Sequence, residues 1–214
     1  MNKKDELINY WKDSKIITDE RAIEAFRKIP REKFVLPEYV DRAYNDIPLP
    51  ILAGQTISQP TTVMLMTQAL EAGEGDKVLE VGSGSGYQAA ILNEIVGKSG
   101  KVLTIEIIPE LHKFAKSNLK NYKNVKPILS DGSLGYNAEA PYDRIIVTAA
   151  APRVPQQLIA QLKNNGILII PVNSESVFGG QDMIRIKKNS NGKTKEENLG
   201  AFSFVPLRGK GGYE

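Results

Sequence analysis

The stretch VLEVGSGSGY, residues 78–87, carries the densest chemical information in the chain. An apolar run holding Glu80 turns through Gly82, Ser83, Gly84 and Gly86 and passes into a helical pattern. Glycines at such a turn let a ligand approach the backbone, and the N-terminus of the following helix adds partial positive charge. A tight turn with no ligand is the plainer alternative. The spacing is G-x-G-x-G rather than the G-x-G-x-x-G of dinucleotide binders, and a carboxylate at Glu80 would repel a pyrophosphate. It suits a phosphate-free ligand with an amino group, such as S-adenosylmethionine. Glu106 ends the next strand about 20 residues on, where a carboxylate accepts ribose hydroxyls, and Asp131-Gly132 ends the strand after that, placed to face an adenine. One such acid reads as a solvated cap; three at successive strand ends mark a binding edge.

A second stretch, GQTISQP (residues 54–60), is polar between two apolar segments. Hydroxyls at Thr56 and Ser58, amides at Gln55 and Gln59, and backbone N–H groups at a helix start form an uncharged, donor-rich cradle for an anion. Ser58 as a mere cap of the helix after Pro60 fits the residues equally well.

What is missing narrows the reaction. No cysteine is present, which removes thiolate nucleophiles, disulfides and thiolate metal sites. A single histidine, His112, rules out multi-imidazole sites, and no acidic metal cluster is visible. DRIIVTAAAP stands where amino-group methylases of nucleobases carry an Asn/Asp-Pro-Pro-aromatic motif. The acceptors left need little deprotonation. A carboxylate qualifies: an α-carboxyl titrates at roughly 3.3–3.7 and is already a nucleophile at neutral pH.

The elements that must position these residues follow from periodicity. The N-terminal segment is helical, with Thr18 expected to cap a second helix that ends before Pro30. Trp11, Phe26 and Phe34 read as packing residues. YNDIPLPILAGQTISQP reads as a long loop, broken by Pro48 and Pro50. From Pro60 helices alternate with the strands KVLEV, KVLTIEI, VKPIL, DRIIVTAA and GILIIPV, which predicts a doubly wound parallel sheet with helices on both faces. DMIRIKK and LGAFSFVPL flank Asn191-Gly192, predicting a final antiparallel pair joined by a two-residue turn. The closing RGKGGYE gives no reason for order.

At 214 residues the chain is long enough for one core and short for two, so a single domain is expected. Its parts are residues 1–59 with the N-terminal helices and acceptor loop, 60–172 as cofactor-binding core, 173–207 as C-terminal strands, and 208–214 as tail. A net charge of +3, spread along the chain, is no nucleic-acid footprint, and no apolar run approaches the ~18 residues of a membrane span. The expectation is a soluble, cytoplasmic monomer with no nucleic-acid or membrane partner and no metal.

Taken together, IPLPILAGQTISQP, VLEVGSGSGYQAAIL, DGSLGYNAEAPYDRIIVTAAAP and FSFVPL resemble the protein-L-isoaspartate O-methyltransferase family, in the same order from about Arg27 to Leu207. The resemblance implies a Rossmann-like, class I methyltransferase sheet. It further implies methyl transfer from S-adenosyl-L-methionine to the α-carboxyl of L-isoaspartyl residues in damaged proteins and peptides, with the ester then collapsing to a succinimide. Ser58 corresponds to the family's active-site serine, with Thr56 and Gln59 flanking it. Gln55, Thr56, Ser58, Glu80, Gly82, Ser83, Gly84, Glu106, Asp131 and Gly132 fall at cofactor positions; Ala149, Ala150 and Val205 lie where the peptide backbone is bound. Two rivals stand beside this reading. A methyltransferase for RNA or small molecules would show a basic groove or stacked aromatics, and a non-catalytic binder of the cofactor would have lost the acceptor loop.

Overall fold

Successive residues of the central strands enter different cores, and this alternation builds a sheet covered on both faces. In the computed structural model, which describes residues 2–176 and 179–213, β3 (Lys77–Val81) sends Val78 into one apolar cluster and Leu79 and Val81 into another. Its neighbours do the same: Val102 and Ile146 join Val78, while Leu103, Ile105, Ile145 and Val147 join Leu79.

Helices α1 (Lys3–Asp13), α2 (Glu20–Lys28), α3 (Pro60–Leu70), α4 (Tyr87–Val96) and α5 (Pro109–Asn118) supply the first cluster; α6 (Gln156–Gln161) supplies Leu158 to the second. With β4 (Lys101–Glu106), β5 (Val125–Leu129), β6 (Tyr142–Val147), β7 (Leu162–Asn173), β8 (Gln181–Lys188) and β9 (Thr194–Phe202), the strand order is β5-β4-β3-β6-β7-β8-β9. Strands β3 to β7 are parallel, and β8 and β9 are antiparallel additions. The order reverses between β3 and β6, the place where open α/β sheets bind ligands beyond their carboxyl ends.

The structure departs from the sequence reading in four places. Asp19, not Thr18, caps α2: its side chain accepts the Arg21 N–H, while the Thr18 N–H and hydroxyl both donate to Gln68 Oε1 of α3. The segment before Pro60 is not plain loop, because β1 (Leu49–Pro50) and β2 (Thr56–Ile57) pair as a short antiparallel ribbon. The β8–β9 turn is longer than the expected two residues. Asn189 donates to the Lys193 carbonyl and Gly192 to that of Asn189, and only Gly192 takes a positive φ (77°), which suits a three-residue bulged loop. Finally, the closing segment is ordered through Tyr213: the Gly209 and Tyr213 N–H groups donate to Tyr213 and Leu207 carbonyls, and the Tyr213 hydroxyl donates to Asn173.

The aromatic packing residues are where expected. Trp11, Phe26 and Phe34 are buried, with the Trp11 and Phe26 rings 4.7 Å apart edge to face.

Candidate active site

The turn after β3 reaches the cleft because its glycines take positive φ, which side-chain-bearing residues adopt rarely: Gly82, Gly84 and Gly86 have φ of 96°, 53° and 88°. Gly82 is doubly constrained. A Cβ there would stand 2.5 Å from Thr148 Oγ1, the hydroxyl that donates to the Gly82 carbonyl at 2.7 Å from the end of β6. Ser83 locks the turn from below, its hydroxyl 2.6 Å from that of Thr104.

Two carboxylates form the floor and differ in state. Glu106 is satisfied by the backbone: Oε2 accepts the Gly84 N–H and Oε1 the Ile108 N–H, each at 3.0 Å. Its remaining lone pairs face the cleft it lines, free for hydroxyl donors. Glu80 has no exposed surface, and neither of its oxygens has a hydrogen-bond partner. Burial pushes its carboxyl up to about 8; the nearby Thr104 hydroxyl pulls the other way, and Glu106 adds to the rise. A buried acid without a partner is costly unless a ligand supplies one, and an ammonium group is the natural complement. The amino-acid end of S-adenosylmethionine carries that group, so the residues present fit this cofactor.

The opposite wall comes from the segment before α3. Gln55, Thr56 and Ser58 line the cleft together with Val63 and Met66 of α3. Ser58 is held from behind, its carbonyl accepting Arg31 Nη2 at 2.7 Å. Gln59 faces away, donating to Asp46 at 3.0 Å, and is not part of the lining. The Asp46 carboxylate also accepts the Thr61 N–H at 2.9 Å and the Thr61 hydroxyl at 2.6 Å. The cap of α3 is therefore Asp46, with no side-chain cap from Ser58, which leaves the Ser58 hydroxyl for the cleft.

The expected residues thus sort by position. Gln55, Thr56, Ser58, Glu80, Gly82, Ser83, Gly84, Glu106, Gly132, Ala149 and Val205 share one cleft. Asp131 does not line it: Oδ1 accepts the Ser133 N–H and hydroxyl, and Oδ2 accepts the Lys210 N–H at 2.9 Å. Ala150 is also behind the wall, its N–H and carbonyl joined to Val205 and Leu207. His112 is half-buried on α5, with Nδ1 unpartnered. Sequence reasoning missed the contributions of Tyr87, Leu207 and Arg208 to the lining, and Arg31 behind Ser58. Tyr87 directly follows the third glycine, a signal that was available; the other three carried none. Among the described residues no group of three or more acidic or imidazole side chains is placed to hold a metal ion.

A family model described as protein-L-isoaspartate(D-aspartate) O-methyltransferase matches residues 2–212. The protein-L-isoaspartate O-methyltransferase of Methanosarcina mazei is 50% identical over 200 residues, covering 92% of this chain and 80% of its own length. Protein-L-isoaspartate O-methyltransferase 2 of Archaeoglobus fulgidus is 53% identical over 196 residues, covering 91% of this chain and 88% of that one. Among solved structures, a protein-L-isoaspartate O-methyltransferase superposes with a TM-score of 0.86 at 29% identity, over 98% of this chain and 67% of that chain. A Plasmodium falciparum structure described as a protein of this kind, in complex with S-adenosyl-L-homocysteine, gives a TM-score of 0.82 at 27% identity, over 97% of this chain and 99% of that one.

Proposed function

The chain belongs to the protein-L-isoaspartate(D-aspartate) O-methyltransferase family, and from that membership we propose which of its residues carry the reaction. The protein is a repair methyltransferase that uses S-adenosyl-L-methionine to methylate L-isoaspartyl residues of proteins. When bound, the cofactor supplies an electrophilic methyl group on a sulfonium. The isoaspartyl α-carboxylate oxygen forms a bond to that methyl as the sulfur–methyl bond breaks, and the bonding pair stays on sulfur. The products are a neutral ester and S-adenosylhomocysteine, with no proton to move.

Ser58 holds the acceptor carboxylate, with Thr56 beside it. The observation that carries this assignment is a single cleft with neutral donors on one wall and the glycine-and-carboxylate turn on the other. Charge is annihilated as the bond forms, so a cation fixed on the acceptor would stabilise the ground state more than the transition state. Hydroxyl donors align the anion without that penalty. Alignment of this kind supplies ~7–11 kcal/mol in favourable cases.

On the other wall Glu80 receives the ammonium, Glu106 the ribose hydroxyls, and Gly132 the flat face of the base. A Cβ on Gly132 would stand 2.8 Å from Val81 Cγ1, so the backbone is packed close there. Ala149 and Val205 border the acceptor side with small or apolar surfaces that tolerate many peptide sequences. The same proposal has the protein acting on isoaspartyl proteins as a cytoplasmic monomer, without nucleic-acid or membrane partners.

The test uses two peptides identical except for L-isoaspartate or L-aspartate at one position, each incubated with methyl-labelled cofactor. Base-labile label on the isoaspartyl peptide alone is the expected result. Ser58→Ala should lose turnover and keep cofactor binding. Unchanged turnover in that variant would remove Ser58 from the assignment.

A further inference from the structure

Among the described residues Arg31 is the only cation with no exposed surface, and the reaction as derived above does not use it. It opens a short 3-10 turn (Arg31–Lys33) behind the acceptor wall. Nε donates to the Ala43 carbonyl and Nη2 to the Ser58 carbonyl, both at 2.7 Å. Its Cζ lies 5.0 Å from the centroid of the Tyr87 ring, while Nη1 and the Tyr87 hydroxyl have no hydrogen-bond partner.

A buried guanidinium whose hydrogen bonds go to neutral carbonyls, with attraction from Tyr87, Tyr44 and Asp46 around it, is a poor stability device, since desolvation of the charge is only partly offset. Burial pulls its pKa down to about 10, so it stays charged at neutral pH. What the arrangement supplies is geometry. Ser58 belongs to the acceptor wall and Tyr87 to the first turn after the glycines, and both line the cleft. Arg31 touches both from outside it, through a planar fork whose two used donors are fixed relative to each other.

We propose that Arg31 is a positioning residue for methyl transfer, setting the acceptor wall at Ser58 against the glycine turn through Tyr87. The proposal rests on the assignment of Ser58 as the acceptor-holding residue. Lysine does not reproduce the fork: its ammonium is a compact charge on a flexible stem, without donors fixed in one plane relative to each other. The loss would appear in the chemical step, because cofactor contacts at Glu80 and Glu106 do not pass through Arg31.

The experiment compares Arg31→Lys and Arg31→Gln with the wild type at saturating cofactor, with melting curves and S-adenosylhomocysteine affinity measured alongside. We expect both variants to fold and to bind S-adenosylhomocysteine within about twofold of wild type, while kcat for the isoaspartyl peptide falls about 10- to 100-fold, the scale of a small misplacement. A purely structural role would instead lower melting temperature and cofactor affinity together and leave kcat per folded molecule unchanged; that result overturns the proposal. So does failure of both variants to fold even with saturating S-adenosylhomocysteine, which would make Arg31 a folding residue. Ser58→Ala separates the two claims, since it keeps the carbonyl that Arg31 binds. Full turnover in Ser58→Ala overturns the role of the hydroxyl alone, and full turnover in a folded Arg31→Lys overturns that of Arg31.

Discussion

The Asp131 carboxylate accepts the backbone N–H of Lys210 at 2.9 Å, tying the loop after β5 to a segment 79 residues further along the chain. Its other oxygen holds Ser133, and Ser133 Oγ in turn accepts the Gly211 N–H at 2.9 Å. A Cβ on Gly209 would collide with Asp131 Oδ1, so only glycine lets the strap lie this close. Leu207 and Arg208, just before the tie, form part of the cleft wall.

Asp131→Ala should therefore loosen the strap. Trypsin is expected to cut at Arg208 and Lys210 faster than in wild type, and S-adenosylhomocysteine affinity should fall about fivefold, in line with ~1 kcal/mol for loss of the tie to Lys210. Burial pushes the Asp131 carboxyl up, but hydrogen bonds from Ser133 and Lys210 outweigh it and the net shift is downward. A depressed carboxyl contributes stability above its unfolded pKa that is lost only as pH falls through the lowered value. The strap should thus stay attached throughout the neutral range, with protease resistance unchanged from pH 6 to 8 (about the working range of trypsin).

Glu80 gives a pH signature of opposite sign. With its carboxyl raised to about 8, the ligand-free protein carries it mostly protonated at neutral pH. Pairing with a cofactor ammonium ionises it, so binding at pH 7 should release about one proton, measured by calorimetry in buffers of different ionisation enthalpy. Affinity should rise with pH up to about 8 and then level.

Glu80→Gln should lower cofactor affinity about 10- to 100-fold above pH 8, matching ~1.5–3 kcal/mol for a hydrogen bond to a charged group. The same change should stabilise the ligand-free protein. A raised folded-state pKa favours folding below the unfolded pKa, and that advantage disappears as pH climbs through the folded value, a loss glutamine does not suffer. The melting temperature at pH 8.5 should rise, with about 2–4 °C expected per kcal/mol for a chain of this size. An unchanged melting temperature together with unchanged affinity would remove Glu80 from the site.

Gly82→Ala meets both a positive φ of 96° and the Thr148 hydroxyl 2.5 Å away. Thr148→Ala in the same chain would relieve the clash and leave the backbone strain. The single variant should lose more than ~1 kcal/mol in stability and most of its cofactor binding, and the double variant should recover only part of each.

Asp46 holds the start of α3 and the Gln59 amide together. Thr61 is held from a second side, its hydroxyl accepting Trp11 Nε1 at 2.7 Å. Asp46→Ala should cost about 1 kcal/mol as a lost cap. It should also raise KM for the peptide more than it changes cofactor affinity, because the acceptor wall sits on the Asp46 side. The indole fluorescence of Trp11 should report the local loosening.

The sequence by itself determined the order of strands and helices, the glycine turn with its acids at strand ends, and the polar stretch at Ser58. These depend on local requirements: period-two and helical apolar patterns, positive φ at glycine, and proline breaking helices. Only the tertiary structure decided that Asp131 turns to Lys210 rather than into the cleft, that the tail through Tyr213 is ordered, that Asp19 caps α2, and that Arg31 is buried behind Ser58. Each of these depends on partners far away in the chain, such as Thr18 with Gln68 or Arg31 with Ser58. A hydrogen bond across such a separation forms only after the loop between its ends has closed, and no local residue pattern encodes which pair will meet.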